Sequence, residues 1–282
     1  MKFKEEIYII LANVIFAFMG VFTRLINNDL LPITQVAYRL TIAAVIFFFF
    51  YSLKGTSFLK ITKKELPLLF IAGFLGYGLM VVFAVYSLIT TTYGNALTFL
   101  QLSSVFVIIL GAVFLREKIS RNAIFACILS FAGIIVAFRP DLGNINYGIF
   151  FAIISALFYS FYFIIIRKLK EIDIKTRLFY TTLFAGVFLL PVALVFEKKL
   201  SFSFGLDTLI YLIIMALMNI AGYYLMNLGI KKVEANIAGI LTVVQTLGGI
   251  IIGVLLYNEP MAAFEIVGSG LIILSIIILN LR

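Results

Sequence analysis

The chain of 282 residues contains no histidine, no tryptophan, a single cysteine and only 12% charged side chains. Each shortage closes a route. Without histidine, the usual imidazole ligands for zinc, copper or iron are missing. So is the side chain that most often serves as general acid or base near neutral pH. Cys127 lies inside an apolar run, cannot close an intrachain disulfide and reads as a buried, inert thiol. A soluble domain carries about 25% charged residues. A chain with 63% hydrophobic residues and a mean hydropathy of +1.17 must use lipid as its main solvent. The net charge of +9 sits between apolar runs, so it is loop charge on a membrane protein rather than a nucleic-acid surface. There is no Walker motif, and the connectors are too short for a nucleotide-binding or signalling domain. A membrane enzyme would need metal ligands, a nucleophile or an acid–base pair at depth, and the sequence offers none.

What is present is a series of apolar runs, each near the roughly 20 residues that cross a bilayer. Ten are predicted, at about 6–24, 32–52, 66–89, 93–115, 120–138, 147–166, 174–196, 207–229, 235–257 and 262–281. The first lacks a small-x-small cleavage site and reads as a retained span rather than a signal peptide. Seventeen lysines and arginines fall on the side of the N-terminus and four on the other, with Arg39 alone inside a span. Cytoplasmic loops collect basic residues, so both termini are expected in the cytoplasm. The Lys-, Ile-, Asn- and Phe-rich composition points to a bacterial cytoplasmic membrane.

The stretch "IILGAVFLREKIS" (108–120) has a second version, "IIIGVLLYNEPMA" (250–262). Sliding the chain by 142 positions places Gly111 on Gly253 and Glu117 on Glu259. It also places Phe16 on Phe158, Thr34 on Thr176, Tyr38 on Tyr180, Ala43 on Ala185, Ala96 on Ala238, Leu129 on Leu271 and Ile134 on Ile276. Five spans per half is an odd number, so the second half must enter the membrane from the opposite face. The expected fold is an all-α integral membrane protein of ten transmembrane helices, built as two inverted five-helix repeats over 1–140 and 145–282. Inverted repeats characterise secondary transporters, whose substrate site lies near the midplane between the repeats.

These features resemble the EamA branch of the ten-span drug/metabolite transporter superfamily over essentially the whole chain. The resemblance rests on an aromatic midway along the first helix of each half (Phe16, Phe158), on Pro32 and Arg39 in the second helix, and on a glutamate closing each fourth helix (Glu117, Glu259). The chain departs from that pattern in three ways. Arg116 and Asn258 stand where glycine commonly precedes the glutamate. Ser104 and Thr246 stand where a proline is common midway along the fourth helix, and Phe stands where the first-helix aromatic is usually tryptophan. Those motifs imply an architecture and leave the cargo open.

The candidate substrate-binding residues are the polar and aromatic groups expected at midplane depth. Arg39, about seven residues or roughly 10 Å from one end of its span, costs several kcal/mol in lipid unless it meets a cavity or a partner. Two readings stand for it, binding an anionic group or pinning the helix to backbone carbonyls. Asn13, Tyr77, Gln101, Ser155, Asn219 and Gln245 recur at matched depth, with Asn13 on Ser155 and Tyr77 on Asn219 under the 142-residue shift. They are either cavity lining or helix–helix glue. Phe16, Tyr159 and Tyr223 are expected to offer ring faces to a cation or an amphipathic solute. "GFLGYG" (73–78) and "LGGIIIG" (247–253) permit close helix contact. The two glutamates are read as stabilising the N-terminus of the helix that follows each of them.

No cofactor or metal is expected. The partners are a small-molecule substrate and membrane lipid, with no nucleic acid and an undefined oligomeric state. The expected activity is secondary transport of a small organic metabolite, an amino acid, amine or similar, by alternating access, as an exporter or facilitative carrier. A nutrient importer of the same fold and a non-transporting receptor or scaffold are the competing readings. With no Asp, Glu or His deep in a span, coupling is not expected to run through a midplane carboxylate.

Overall fold

A computed structural model describes residues 3–53, 55, 59–116, 119–138, 146–198, 200, 204–230, 233 and 241–280. Glu117, the first of the twin glutamates, and Ala238 lie outside the described residues, as do Lys2, Lys54, Lys118, Arg139, Lys199, Lys231, Lys232 and Arg282.

The fold is all-helical. Five helices form the first half: α1 (Phe3–Leu25), α2 (Pro32–Ser52), α3 (Glu65–Thr90), α4 (Tyr93–Leu115) and α5 (Arg121–Phe138). The second half comprises α6 (Tyr147–Lys168), α7 (Ile174–Phe196), α8 (Leu206–Ile230), α9 (Val243–Tyr257) and α10 (Ala263–Asn280). Among the described residues, α1, α2, α3, α4, α6, α7 and α8 are long and apolar enough to cross a membrane, and α5, α9 and α10 are shorter apolar helices. The protein is a multi-pass membrane protein. Below, the near face is the one that carries the N-terminus, and the far face is opposite.

Helix packing obeys an exchange of halves. α1 lies on α8, and its counterpart α6 lies on α3. α1 also touches α9, as α6 touches α4, and α2 touches α8, as α7 touches α3. α2 packs on α7, and α5 on α10. Each of these contacts reappears when the two halves are swapped, which is what a two-fold axis between inverted repeats requires.

In hydrocarbon each backbone N–H and C=O must find a partner, so helix ends show how the chain solves that constraint. α2 starts at Pro32, which needs no N–H bond. Its next two free N–H groups, on Ile33 and Thr34, donate to the Glu197 carboxylate at 2.6 and 2.9 Å, and the Thr34 hydroxyl donates to it as well. Removing this borrowed cap by Glu197→Ala is expected to cost about 2 kcal/mol, the upper end for a helix cap. Thermal unfolding in detergent measures it, with Glu171→Ala, whose carboxylate stands on the surface, as the neutral control.

α4 and α9 end alike. Arg116 and Asn258, 142 positions apart, both adopt the left-handed conformation (φ 55° and 50°), and the backbone N–H of each returns to the carbonyl of Gly111 or Gly253. The shape explains why glycine is common there in the family the sequence resembles: it reaches this region without a Cβ penalty. Arg116→Gly is expected to stabilise the protein by about 1 kcal/mol, since an ordinary L-residue loses roughly that much in this conformation. An unchanged unfolding temperature would contradict it.

Midway, α4 breaks without proline. Gln101 and Leu102 leave the α-helical ladder, and the amides of Gln101, Leu102, Ser104 and Val105 bond back to the third residue before them. α3 departs in the other direction, winding as a π-helix over Ile71–Gly78. Such wide turns recur at functional sites.

Candidate functional site

The π-helical turn carries Tyr77 to the centre of the molecule, and its glycines set how closely α3 is approached. A Cβ on Gly76 would lie 2.8 Å from the Cβ and 2.9 Å from the Cα of Tyr162 on α6. One on Gly73 would lie 2.7 Å from the carbonyl oxygen of Thr181 on α7. Bare backbone therefore meets α6 and α7 directly, which brings the Tyr77 ring within 5.7 Å of the Tyr162 ring.

Across the interface between halves, the Asn219 amide on α8 donates to the Tyr77 hydroxyl at 2.5 Å. These two residues are 142 positions apart, so each is the counterpart of the other and their bond crosses the symmetry axis. The Tyr223 ring stands edge-on to Tyr77 at 5.3 Å, and Phe16 rests on Tyr223 at 5.0 Å. Phe16 fits there because Gly222 leaves its space open: a Cβ at that glycine would lie 2.5 Å from the Phe16 ring. Tyr159 stacks on Tyr162 at 6.1 Å.

Tyr77, Tyr162, Asn219 and Tyr223 wall one end of a cleft that continues between Ala43 and Phe47 of α2 and Leu178, Thr181 and Thr182 of α7. Those α2 and α7 residues belong to the near-face halves of their helices. The free space is about 10 Å³, roughly the room of one water, so a solute enters only as side chains move. Toward the near face the cleft is covered by aromatic contacts, Phe47 on Tyr51 at 4.3 Å and Phe47 on Phe179 at 6.0 Å. The Tyr180 hydroxyl there donates to the Leu59 carbonyl at 2.9 Å.

The far face is tied by polar contacts. Arg24, at the end of α1, pairs with Glu259 at 2.7 Å and donates to the carbonyls of Leu88 (2.6 Å) and Thr91 (2.8 Å). Its guanidinium also lies over the rings of Tyr93 and Tyr257, 5.1 and 4.4 Å from their centroids. The second carboxylate oxygen of Glu259 accepts from the Tyr93 N–H at the start of α4 (2.8 Å). The Tyr93 hydroxyl donates to the Ala17 carbonyl. One knot therefore joins α1, α3, α4 and α9. Glu259 does serve a helix N-terminus, but that of α4 rather than of α10, which follows it. The Ala262 N–H before α10 is taken instead by Glu265 (2.8 Å), whose other oxygen accepts from the Asn95 side chain (2.5 Å).

Of the ten candidates, Phe16, Tyr77, Tyr159, Asn219 and Tyr223 come together at the head of the cleft. Arg39 does not line the cleft and is buried, 2% exposed. Its Nη1 donates to the Thr23 hydroxyl at 3.2 Å and lies 3.9 Å from the Met215 sulfur. The other four lie elsewhere. Ser155 donates to the Met80 carbonyl (2.6 Å) and fastens α6 to α3. Gln101, at the break in α4, donates to the Thr242 carbonyl (3.0 Å) just before α9. Asn13 turns back on the Ile9 carbonyl of its own helix (2.8 Å). Gln245 is half-buried on α9.

Sequence reasoning did not rank Thr181 or Thr182 among the candidates. The first signal for them was the glycine spacing of α3, which says that some partner approaches but not which. Arg24 was legible only as loop charge, and Glu197 gave no signal, because its partners are backbone N–H groups more than 160 residues away.

Similarity to known proteins follows the same outline. The model of the EamA-like transporter family matches twice, over residues 3–139 and 146–281. An uncharacterized transporter of Archaeoglobus fulgidus is 27% identical over 225 residues, covering 78% of this chain and 79% of its own. One from Helicobacter pylori strain J99 is 22% identical over 276 residues, covering 95% and 91%. The uncharacterized transporter YetK of Bacillus subtilis is 26% identical over 246 residues, covering 83% and 74%. A solved crystal structure superposes with a TM-score of 0.65 over 97% of this chain and 94% of its own, at 14% identity; that likeness concerns the fold alone.

Proposed function

The chain belongs to the EamA-like transporter family, matched over both halves, and from that premise we propose that it is a secondary transporter moving a small organic metabolite by alternating access. The observation that carries this reading is the Tyr77–Asn219 bond across the axis between the repeats, at the head of a cleft bounded by α2, α3, α6, α7 and α8. A site on the axis can be exposed to either face by rocking one repeat against the other. Its two closures differ in chemistry. The far-face closure is the Arg24–Glu259 knot, and the near-face closure is the aromatic cover of Phe47, Tyr51 and Phe179. The repeats are taken as 1–140 and 145–282. The distribution of lysine and arginine supports cytoplasmic termini, and the Lys-, Ile-, Asn- and Phe-rich composition supports a bacterial cytoplasmic membrane.

The test is exchange of radiolabelled metabolites in liposomes carrying the purified protein, with unlabelled solute inside. Exchange of at least one metabolite above protein-free vesicles is expected. Asn219→Ala, which leaves the buried Tyr77 hydroxyl without this donor, is expected to lower exchange at least tenfold, the effect of about 1.4 kcal/mol. A protein that exchanges none of the amino acids, amines, nucleosides and organic acids offered would overturn the transporter reading.

A further inference from the structure

A second cavity, of about 360 Å³, opens on the near face between the lead-in to α3 and the start of α7. Small-molecule sites run from about 300 Å³ upward, so this space has room for an organic molecule as it stands. It joins the two halves: Lys60, Thr62 and Glu65 come from the first, and Glu171, Asp173 and Thr176 from the second. Ile61 and Ile172 complete the lining. Ile172 belongs to a buried cluster with Leu69 and Leu169, and Ile61 packs against that cluster, so core packing fixes this part of the wall.

Thr176 is 2% exposed, lines this cavity, and its hydroxyl makes no hydrogen bond among the described residues. The 142-residue shift accounts for that. Thr34, the counterpart of Thr176, donates its hydroxyl to Glu197, and the position in the first half that answers to Glu197 is Gly55. The near face therefore keeps the threonine without the carboxylate that engages its twin. Buried hydroxyls are ordinarily paired, and this one is left for a solute. The charge around it is negative: Glu65, Glu171 and Asp173 stand against Lys60 in the lining. Two of these carboxylates are held in place through one oxygen each, Glu65 by the Thr62 N–H (2.6 Å) and Asp173 by the Lys175 N–H (3.0 Å). The cations that follow on α7 are engaged elsewhere. The Lys175 ammonium lies 5.1 Å from the Tyr51 ring centroid, and Arg177 donates to the Ile166 carbonyl (3.3 Å). Lys170 stands 3.9 Å from Glu171, both on the surface.

We propose that this cavity is a second binding site, separate from the cleft, and that it takes a small organic ammonium ion. The ammonium donates to the second oxygens of Glu65 and Asp173 and to the Thr176 hydroxyl oxygen. Such charge-assisted bonds are the strong ones, and an ammonium has three donors to give. Glu171 adds negative charge at the mouth, and Ile61 and Ile172 meet the carbon chain. A metal ion fits less well, because no three acidic side chains among the described residues are grouped closely enough to hold one. Since its ligands come from both halves, a bound amine ties the start of α7 to the lead-in of α3, beside the Tyr180–Leu59 bond of the near-face cover. It thereby holds the near face closed and acts as a regulator rather than as cargo, a role that rests on the transporter reading.

The experiment uses the full-length protein in detergent with short straight-chain amines and diamines, each beside the alcohol and the carboxylate of the same skeleton. Ligand-dependent unfolding temperature gives the affinities. At least one amine is expected to bind about tenfold more tightly than its alcohol and its carboxylate, as charge-assisted bonds require. Thr176→Val removes a hydroxyl that holds nothing in the protein, and Asp173→Asn removes a charge while keeping a good helix cap. Each is expected to weaken the amine about fivefold, the effect of one hydrogen bond, while unfolding stays cooperative. Asn219→Ala, in the cleft, is expected to leave amine binding unchanged. An alcohol or carboxylate that binds as well as the amine, no binding of any amine, or an affinity that survives both Thr176→Val and Asp173→Asn would each overturn the proposal. Amine binding lost in Asn219→Ala and kept in Thr176→Val would make the amine cargo, which removes this site and leaves the transporter standing. At saturating amine, a near-face thiol reagent should react more slowly with Thr182→Cys in a Cys127→Ala background, and an unchanged rate would overturn the regulatory role. Absence of exchange for every metabolite removes the transporter reading and leaves the amine site to stand on its own binding data.

Discussion

Replacing Arg24 with alanine is expected to lower stability by about 2–4 kcal/mol and to loosen the far face more than any other single surface change. The side chain makes three charge-assisted hydrogen bonds, to Glu259, Leu88 and Thr91, and covers two rings. Bonds to charged groups contribute about 1.5–3 kcal/mol each when buried. Here the two side chains keep 15% and 24% of their exposure, so the sum is discounted for solvent. Lysine is not expected to rescue, because one ammonium cannot serve three acceptors in a plane as guanidinium does. The knot has a further property: Glu259 also holds the start of α4. Arg24→Ala and Glu259→Ala should therefore be strongly non-additive, with a coupling of about 1–2 kcal/mol in a double-mutant cycle. Additive losses would mean that the contact is incidental. In function, a weaker far-face closure shifts the carrier toward states open on that face, so exchange should change in rate while substrate preference does not.

Gly76→Leu is expected to be the most damaging change at the centre. Its Cβ would stand 2.8 Å from the Cβ and 2.9 Å from the backbone Cα of Tyr162, and a helix backbone cannot swing aside as a side-chain tip can. Relief requires α3 to move off α6, which separates Tyr77 from Tyr162 and pulls Tyr77 away from Asn219. Overpacking of this kind costs about 1–3 kcal/mol. Exchange should fall at least tenfold even where the protein still folds. Gly270 on α10 supplies the control, since a Cβ there meets nothing within 4 Å. Gly270→Ala is expected to be neutral or to stabilise by up to about 1 kcal/mol through helix propensity alone. If both substitutions behaved alike, close approach at Gly76 would not be what builds the site.

Much of this architecture is written in the order of the residues. Lipid permits few backbone solutions, so apolar run lengths and charged breaks located the helices closely; α2, predicted at 32–52, is Pro32–Ser52. The 142-residue shift located the repeat, and its most direct structural trace is the Tyr77–Asn219 bond between exchange partners. What stayed illegible was pairing between distant positions. Glu259 was read as serving the helix next to it in sequence, whereas the three-dimensional neighbour is α4. Glu197 caps a helix from another repeat. Local electrostatics thus gave the right kind of partner and could not name it. Ser155 and Gln101 show the same limit. Their polarity was visible, but only the packing reveals that each bonds a carbonyl of a neighbouring helix or its lead-in. The absence of proline in α4 was visible as a departure, whereas the break at Gln101–Leu102 was not.

The central claim is that the cleft reaches opposite faces in turn, closed on one side by the Arg24 knot and on the other by the Phe47 cover. Its most direct test is the accessibility of a single thiol in the cleft. Thr182 lines it; Thr182→Cys in a Cys127→Ala background would be treated with a charged, membrane-impermeant thiol reagent from each face of sealed vesicles. Arg24→Ala should raise modification from the far face several-fold, and Phe47→Ala should raise it from the near face. A thiol that neither face can reach in any background, or two closures that open the cleft to the same face, would contradict the account.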